Sequence, residues 1–186
     1  MLNASFAYLE QLLQDYGAQY PAEGHAQQRV LRFLRSTQHC FERTCVEGHF
    51  TASAFLMNYT GDKALLMHHT KLDIWLQPGG HCDGDPDVYA VALKEAQEET
   101  GITAIKLVKS PIFDIDVHRV PAFGNEPAHY HYDVRLLMQV TDPQACIQRN
   151  AESLDMQWFG VDADSLPTNE PSILRMFEKW QDWQNG

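Results

Sequence analysis

The chain of 186 residues has the length of one ordinary domain with a short extension, and its 44% of hydrophobic residues suffice for a buried core. A net charge of -11 disfavours direct binding to the phosphates of a polynucleotide. No apolar run approaches the about 20 residues that cross a bilayer, and the N-terminus lacks the basic end and apolar run of a signal peptide. We therefore expect a soluble, cytoplasmic protein with neither a membrane nor a polynucleotide as partner.

Helices are predicted at the beginning of the chain. Apolar residues recur at spacings of three and four over 5–16, where Gly17 is expected to end the helix, and again over 27–36. Together these helices are predicted to form an N-terminal helical extension over residues 1–45, packed against the main domain.

Strand-like composition begins at His49 and leads to Pro78-Gly79-Gly80, which we interpret as a turn. A central helix follows, with Asp85 as its expected N-cap, Pro86 at its first position and Gly101 after its end. Further strands are predicted over 104–108, 112–118, 129–140 and 154–159, and a last helix at Glu170-Pro171. Strands on both sides of one helix indicate an α/β fold of the α+β type, in which helices cover a mixed sheet.

The central helix carries a cluster of carboxylates. Glu95, Glu98 and Glu99 stand at i, i+3 and i+4, so their side chains share one face within a single turn. Like charges at this spacing repel one another, and hard divalent cations such as Mg2+ or Mn2+ would offset the repulsion and bridge substrate phosphates. For three Glu residues taken alone, a solvated acidic face is the alternative interpretation.

The segment from Gly80 to Ile102 resembles the signature of the Nudix hydrolases. That signature is Gly, five residues, Glu, seven residues, Arg-Glu, an aliphatic residue, any residue, Glu-Glu, any residue, Gly and an aliphatic residue. The residues in register are Gly80, Glu95, Ala96, Glu98, Glu99, Gly101 and Ile102. Pro86 replaces the first Glu and Lys94 replaces the Arg. The resemblance implies a Nudix-like α/β/α sandwich as a Nudix hydrolase domain over residues 46–186.

The same resemblance implies roles for individual residues. Glu98 and Glu99 would be ligands of Mg2+ or Mn2+, and Glu95 a further ligand or the base that activates water. Glu152 stands where relatives carry an extra acidic residue that reaches the site, and an exposed loop Glu is the alternative. The predicted catalytic set is therefore these four glutamates. Predicted substrate contacts are Lys94, Glu126 and Tyr130.

Histidines form a second group of candidate ligands. His129 and His131 are two apart in a predicted strand, so both project from one face. His49 opens the first strand and His81 directly follows Gly80. Each alone is typical of a surface or core imidazole, but together they supply the three or four nitrogen ligands that a transition metal prefers. We therefore predict an additional site for Zn2+ or Mn2+.

This histidine pattern is similar to that of the isopentenyl-diphosphate isomerases. Those enzymes carry Cys-Gly-His before the equivalent helix, a metal-binding His early in the domain and a Glu-x-Glu pair on a later strand. Gly79-Gly80-His81 stands at the first position and His129-Tyr130-His131 at the last. Because Gly79 replaces the isomerase's catalytic Cys, the resemblance implies a histidine metal site without that isomerase mechanism.

The leading functional interpretation is a metal-dependent hydrolase of acid anhydrides. It would cleave a diphosphate linkage in a small phosphorylated metabolite, in which a nucleoside diphosphate is linked to another moiety. One alternative is an isomerase-like enzyme that acts on an isoprenoid diphosphate. Another is a non-catalytic Nudix domain that senses a nucleotide. The chain is expected to be a monomer or a homodimer.

Overall fold

The structure is a computed structural model that describes residues 4–108, 112–124, 127–161 and 166–185. Within these ranges, no helix combines the length and the apolar character needed to cross a membrane. The chain divides into two compact units. The first unit contains Met1–Ala52, Gly80–Val91 and Ser110–Leu136, and the second contains Ser53–Gly79, Ala92–Lys109 and Leu137–Gly186.

Apart from a short 3-10 helix at Pro21–Glu23, two helices precede the first four described strands, a third helix separates these from the last four, and a fourth follows them. In chain order they are α1 (Ala4–Gln19), α2 (Gly24–Ser36), β1 (Gly48–Met57), β2 (Ala64–His69), β3 (Trp75–Leu76), β4 (Gly79–His81), α3 (Val88–Thr100), β5 (Ile105–Leu107), β6 (Asp114–Val120), β7 (His129–Val140), β8 (Ser153–Phe159) and α4 (Pro171–Asn185). The strands form one sheet with the path β3-β2-β1-β7-β5, while β4 pairs with β1, β6 with β7 and β8 with β2. The predicted α+β class with a mixed sheet and helices is confirmed.

Apolar packing and a buried ion network stabilise the first unit. Phe33 of α2 stacks on Tyr132 of β7 with ring centroids 3.9 Å apart. Arg135 of β7 is buried, and its guanidinium lies 3.1 Å from Asp114 and 2.8 Å from Asp133. Because an unpaired charge is costly to bury, these carboxylates are what makes a buried arginine tolerable here.

Gly17 lies inside α1, so the prediction that it ends the helix is wrong. The helix continues to Gln19. A Cβ at residue 17 would lie 2.8 Å from the side chain of Gln27, which is buried and donates to the carbonyl of Leu13 at 3.1 Å. The absence of a side chain at Gly17 therefore permits the close approach of α2, so this glycine is explained by a tertiary contact and not by the end of a helix.

The central helix α3 begins at Val88, two residues later than predicted, so the expected cap at Asp85 is wrong. Asp87 caps the helix, because its Oδ1 accepts the amide of Ala90 at 3.0 Å. The Asp85 carboxylate instead accepts the amide of Asp87 at 2.9 Å. Gly101 follows the helix with φ 71, a left-handed conformation that favours glycine, as predicted.

Aromatic side chains form one part of the core of the second unit. Phe55 of β1 packs edge-on against Phe177 and Trp180 of α4, with ring centroids 5.1 and 5.5 Å apart. All three are almost fully buried. The last helix begins at Pro171, as the Glu170-Pro171 pair predicts, because proline suits the first helical position.

Candidate active site

The carboxylate face of α3, defined as Glu95, Glu98 and Glu99, lies in the second unit. Its members differ in environment, because the side chains of Glu95 and Glu98 are 18% and 60% exposed whereas Glu99 is buried. Lys94 Nζ lies 3.2 Å from Glu95 Oε1 and 3.4 Å from Glu98 Oε2. These contacts raise the pKa of Lys94. The lysine therefore offsets part of the repulsion within the face.

Glu99 is the most strongly perturbed member of this face. Burial raises the pKa of its carboxyl to about 8, although the amide of Gly79 donates to Oε2 at 2.9 Å and lowers it. The negative charges of Glu95, Glu152 and Glu98 raise it further. A buried carboxyl surrounded by other carboxylates is well suited to a divalent cation, which would replace the proton and satisfy the oxygen donors.

Gly79 belongs to strand β4, so the interpretation of Pro78-Gly79-Gly80 as a turn is wrong. The carbonyl of Pro78 accepts the amide of Ala54 of β1 at 2.9 Å, which places this segment in extended pairing. The next amide, that of Gly79, is then directed to Glu99. This donor was not predicted from the sequence, because a Pro-Gly-Gly run indicates a turn unless the neighbouring strand is known.

The other predicted site residues lie in different surroundings from one another. Glu152 is exposed just before β8, and its charge contributes to the raised pKa of Glu99. Tyr130 is half-buried in the first unit, where the guanidinium of Arg29 lies 4.4 Å from its ring centroid. Glu126 lies outside the described residues. The roles of these residues and of Lys94 toward a substrate stay predictions.

The first unit brings the four predicted histidines together. This histidine cluster is defined as His49, His81, His129 and His131. The ring centroid of His49 lies 4.9, 4.8 and 4.9 Å from those of His81, His129 and His131. The Nε2 atoms of His129 and His131 are 3.2 Å apart, as expected for two side chains on one face of a strand.

Two imidazoles of this cluster, those of His49 and His131, have a lowered pKa. Burial lowers the pKa of His49 to about 4 and that of His131 to about 2, and the neighbouring histidines lower both values further. His118 also lies beside the cluster, with its ring centroid 5.3 Å from that of His131. The strand register explains this position, because His118 of β6 pairs directly with His131 of β7.

Comparison with protein-family models identifies the family of this chain. A family model described as "NUDIX domain" matches residues 48–180, which include every residue of the carboxylate face. The chain therefore belongs to the NUDIX domain family. The predicted enzyme class, a Nudix-type pyrophosphohydrolase, is confirmed at that level. Family membership also supports a divalent metal and a small phosphorylated substrate.

Individual relatives are distant. A "Probable DHNTP pyrophosphohydrolase" of Lactococcus lactis subsp. cremoris is 24% identical over 141 residues, which cover 75% of this chain and 80% of that protein. A Caenorhabditis elegans Ap4A hydrolase in a binary complex has a TM-score of 0.58 at 17% identity, covering 74% of this chain and 98% of the other. The Escherichia coli dihydroneopterin triphosphate pyrophosphohydrolase has a TM-score of 0.57 at 14% identity, covering 74% and 96%. These structural likenesses establish the shared fold.

Glu99→Gln is expected to stabilise the metal-free protein at pH 8. The pKa of this carboxyl is about 8 in the folded state and 4.5 at its ordinary value, which applies to the unfolded chain. Between these pH values the folded state therefore binds more protons than the unfolded state. Stability present below pH 4.5 is therefore lost as pH rises through 8. The side-chain oxygen of Gln can still accept the amide hydrogen of Gly79. Because Gln does not ionise, the loss of stability with rising pH is removed. We expect Tm at pH 8 in EDTA to rise by at least about 2–4 °C, the shift that about 1 kcal/mol produces at this length.

The control for this measurement is Glu98→Gln, which makes the same chemical change at an exposed position. Its effect on Tm should be small at both pH 5 and pH 8. A lower Tm of the Glu99→Gln variant at pH 8, or an equal rise in both variants, would contradict the electrostatic explanation.

Proposed function

We propose that this protein is a metal-dependent hydrolase that cleaves a diphosphate linkage in a small phosphorylated metabolite, with a nucleoside diphosphate joined to another moiety as the substrate class. The observation that carries the proposal is the buried carboxyl of Glu99, held by the Gly79 amide next to Glu95 and Glu98. The names of the relatives, a probable DHNTP pyrophosphohydrolase and an Ap4A hydrolase, support a phosphoanhydride substrate.

The carboxylate face fits Mg2+ or Mn2+, because it offers only oxygen donors and one of them is buried with a raised pKa. Glu95, Glu98 and Glu99 would hold the metal. When bound, such a cation neutralises charge on phosphate oxygens and lowers the pKa of a bound water. This explains how a chain with a net charge of -11 accepts an anionic substrate.

The chain's own residues prepare this face in two ways. The Gly79 amide fixes one oxygen of Glu99, so this carboxylate keeps its orientation when the proton leaves. The ammonium group of Lys94 contacts both Glu95 and Glu98 and keeps them on the same side of α3. Glu95 is the less exposed of these two and the better placed to accept a proton from water in a partly desolvated setting.

A substrate screen with Mg2+ or Mn2+ tests this proposal. The panel contains nucleoside triphosphates, dinucleoside polyphosphates, ADP-ribose, NADH and isoprenoid diphosphates. We expect cation-dependent release of phosphate-containing products from one nucleotide class, and loss of this release in EDTA. Conversion of an isoprenoid diphosphate to an isomer would instead support the isomerase-like alternative. Tight nucleotide binding without turnover in any metal would support the sensing domain, and either result would overturn the proposal.

A further inference from the structure

The histidine cluster belongs wholly to the first unit and shares no residue with the carboxylate face. Three of its members meet the geometric requirement for a common ligand: the nitrogen atoms that His49, His129 and His131 can offer all lie within 4.8 Å of one another. His49 and His129 are buried, and His131 is half-buried. Bringing three imidazoles together away from solvent is costly for any ring nitrogen that loses its hydrogen bonds to water.

His49 shows that loss most clearly. Both of its ring nitrogens are buried and lack a hydrogen-bond partner within the part of the chain that the structure describes. A buried polar atom without a partner destabilises the folded state, because its hydrogen bonds to water are not replaced. The ring is only 1% exposed at the start of β1, so side-chain motion alone does not return it to water. A ligand that accepts the nitrogen's lone pair would remove this cost.

The hydrogen bond of His129 selects the tautomer that a metal ligand needs. Its Nδ1 lies 2.9 Å from the carbonyl oxygen of Pro127. Because a carbonyl only accepts, Nδ1 must carry the hydrogen, and in the tautomer with this single hydrogen the lone pair is on Nε2. A backbone carbonyl that orients one imidazole nitrogen while the other faces a metal is a recurrent arrangement around metal ions.

The distance between two of the nitrogens also fits. His129 Nε2 and His131 Nε2 are 3.2 Å apart. Two imidazole nitrogens bound to one tetrahedral Zn2+ at about 2.0–2.1 Å lie about 3.3 Å from each other. His129 and His131 therefore need almost no movement relative to each other to share an ion.

We propose that His49, His129 and His131 bind one first-row transition-metal ion, such as Zn2+, and that His81 stands beside them as a fourth imidazole. The ring centroid of His81 lies 4.9 Å from those of His49 and His131. Nitrogen donors favour such ions, whereas the oxygen donors of the carboxylate face favour Mg2+ or Mn2+. The two sites are therefore distinguished by the metal they select.

Metal content and spectroscopy of the full chain test the proposal. The protein is stripped with a chelator, loaded with Zn2+ and freed of excess metal. We expect about one tightly held Zn2+ per chain, since three imidazoles suffice to hold the ion. X-ray absorption of the loaded wild-type protein should show imidazole nitrogens around the metal. Coordination by oxygen atoms alone would overturn the proposal, and this measurement needs only the wild-type protein.

Variants assign the ion to these residues. His131→Ala and His49→Ala should lose the tightly held Zn2+ and the rise in Tm that Zn2+ gives the wild type. His39→Ala is the matched control, because His39 is exposed and pairs with Glu42 at the surface. Retention of Zn2+ by both cluster variants, or its loss in His39→Ala, would overturn the assignment.

The double variant Glu98→Gln/Glu99→Gln separates this proposal from the hydrolase proposal. It should keep its Zn2+ while losing turnover with Mg2+ or Mn2+. Loss of the tightly held Zn2+ in this variant would show that the carboxylate face binds the ion, and the histidine site would be wrong. A failure to find any hydrolysed substrate leaves the Zn2+ measurements unaffected.

Discussion

Glu98→Gln is expected to reduce metal-dependent turnover by about 100-fold or more. Loss of a cation that stabilises phosphate charge removes several kcal/mol of transition-state stabilisation. About 1.4 kcal/mol corresponds to a tenfold change in rate. Gln retains the size of the side chain but loses the charge that binds the cation. Since the Glu98 side chain is 60% exposed, the fold should remain intact. Initial rates over a Mg2+ or Mn2+ titration, with the substrate found in the screen, give the measurement.

Glu178→Gln provides the matched control, because Glu178 is an exposed residue of α4 and the substitution removes the same single charge. Its rate should stay close to that of the wild type. The thermal unfolding curves of both variants should also match the wild type. Equal rates for Glu98→Gln and the wild type at every cation concentration would show that the carboxylate face does not carry the reaction.

Arg135→Met is expected to destabilise the protein by about 3–5 kcal/mol, the usual cost of removing one partner from a buried ion network. The side chain of Arg135 is only 3% exposed and contacts Asp114 and Asp133, whose side chains are 0% and 6% exposed. Its loss leaves these carboxylates without the guanidinium that compensates their charge. At about 2–4 °C per kcal/mol, Tm should fall by about 6–20 °C. Thermal unfolding at pH 7 measures the shift.

The comparison for this variant is Arg35→Met, which breaks an exposed ion pair with Glu10. Surface pairs contribute about 0–1 kcal/mol, so its Tm should change little. If Arg135→Met unfolds at the temperature of Arg35→Met, the buried network does not stabilise the first unit. The opposite change, Asp133→Asn, should also be destabilising, because Asp133 accepts from Thr51 and from Arg135.

Features encoded over short distances could be predicted from the sequence. The spacing of Glu95, Glu98 and Glu99 fixes a common helix face, and Gly101 marks the end of the helix through its left-handed backbone. Strand β7 begins and ends at the predicted residues, His129 and Val140. The β-strand period of two also predicts correctly that His129 and His131 lie side by side.

Features that depend on distant parts of the chain could not be predicted in this way. Gly17 appeared to end a helix, yet it makes room for a glutamine of the next helix. Gly79 was predicted to lie in a turn, yet it lies in a strand and its amide donates a hydrogen bond to Glu99. His118 reaches the histidine cluster through strand register, which the sequence does not fix when a long connection precedes the partner strand. Glycine patterns show where the backbone is unusual, whereas the reason lies in the tertiary contact.

Lys94 gives the carboxylate face a built-in counterion before any metal arrives. Its stem is flexible and mostly exposed, so the ammonium group can swing into water without disturbing α3. At the proposed metal site, cation uptake would exchange one positive group for another, so Glu95 and Glu98 would have a counterion both before and after the cation binds. The ammonium group must leave these carboxylates as the cation binds, so the lysine also sets part of the free energy of cation uptake.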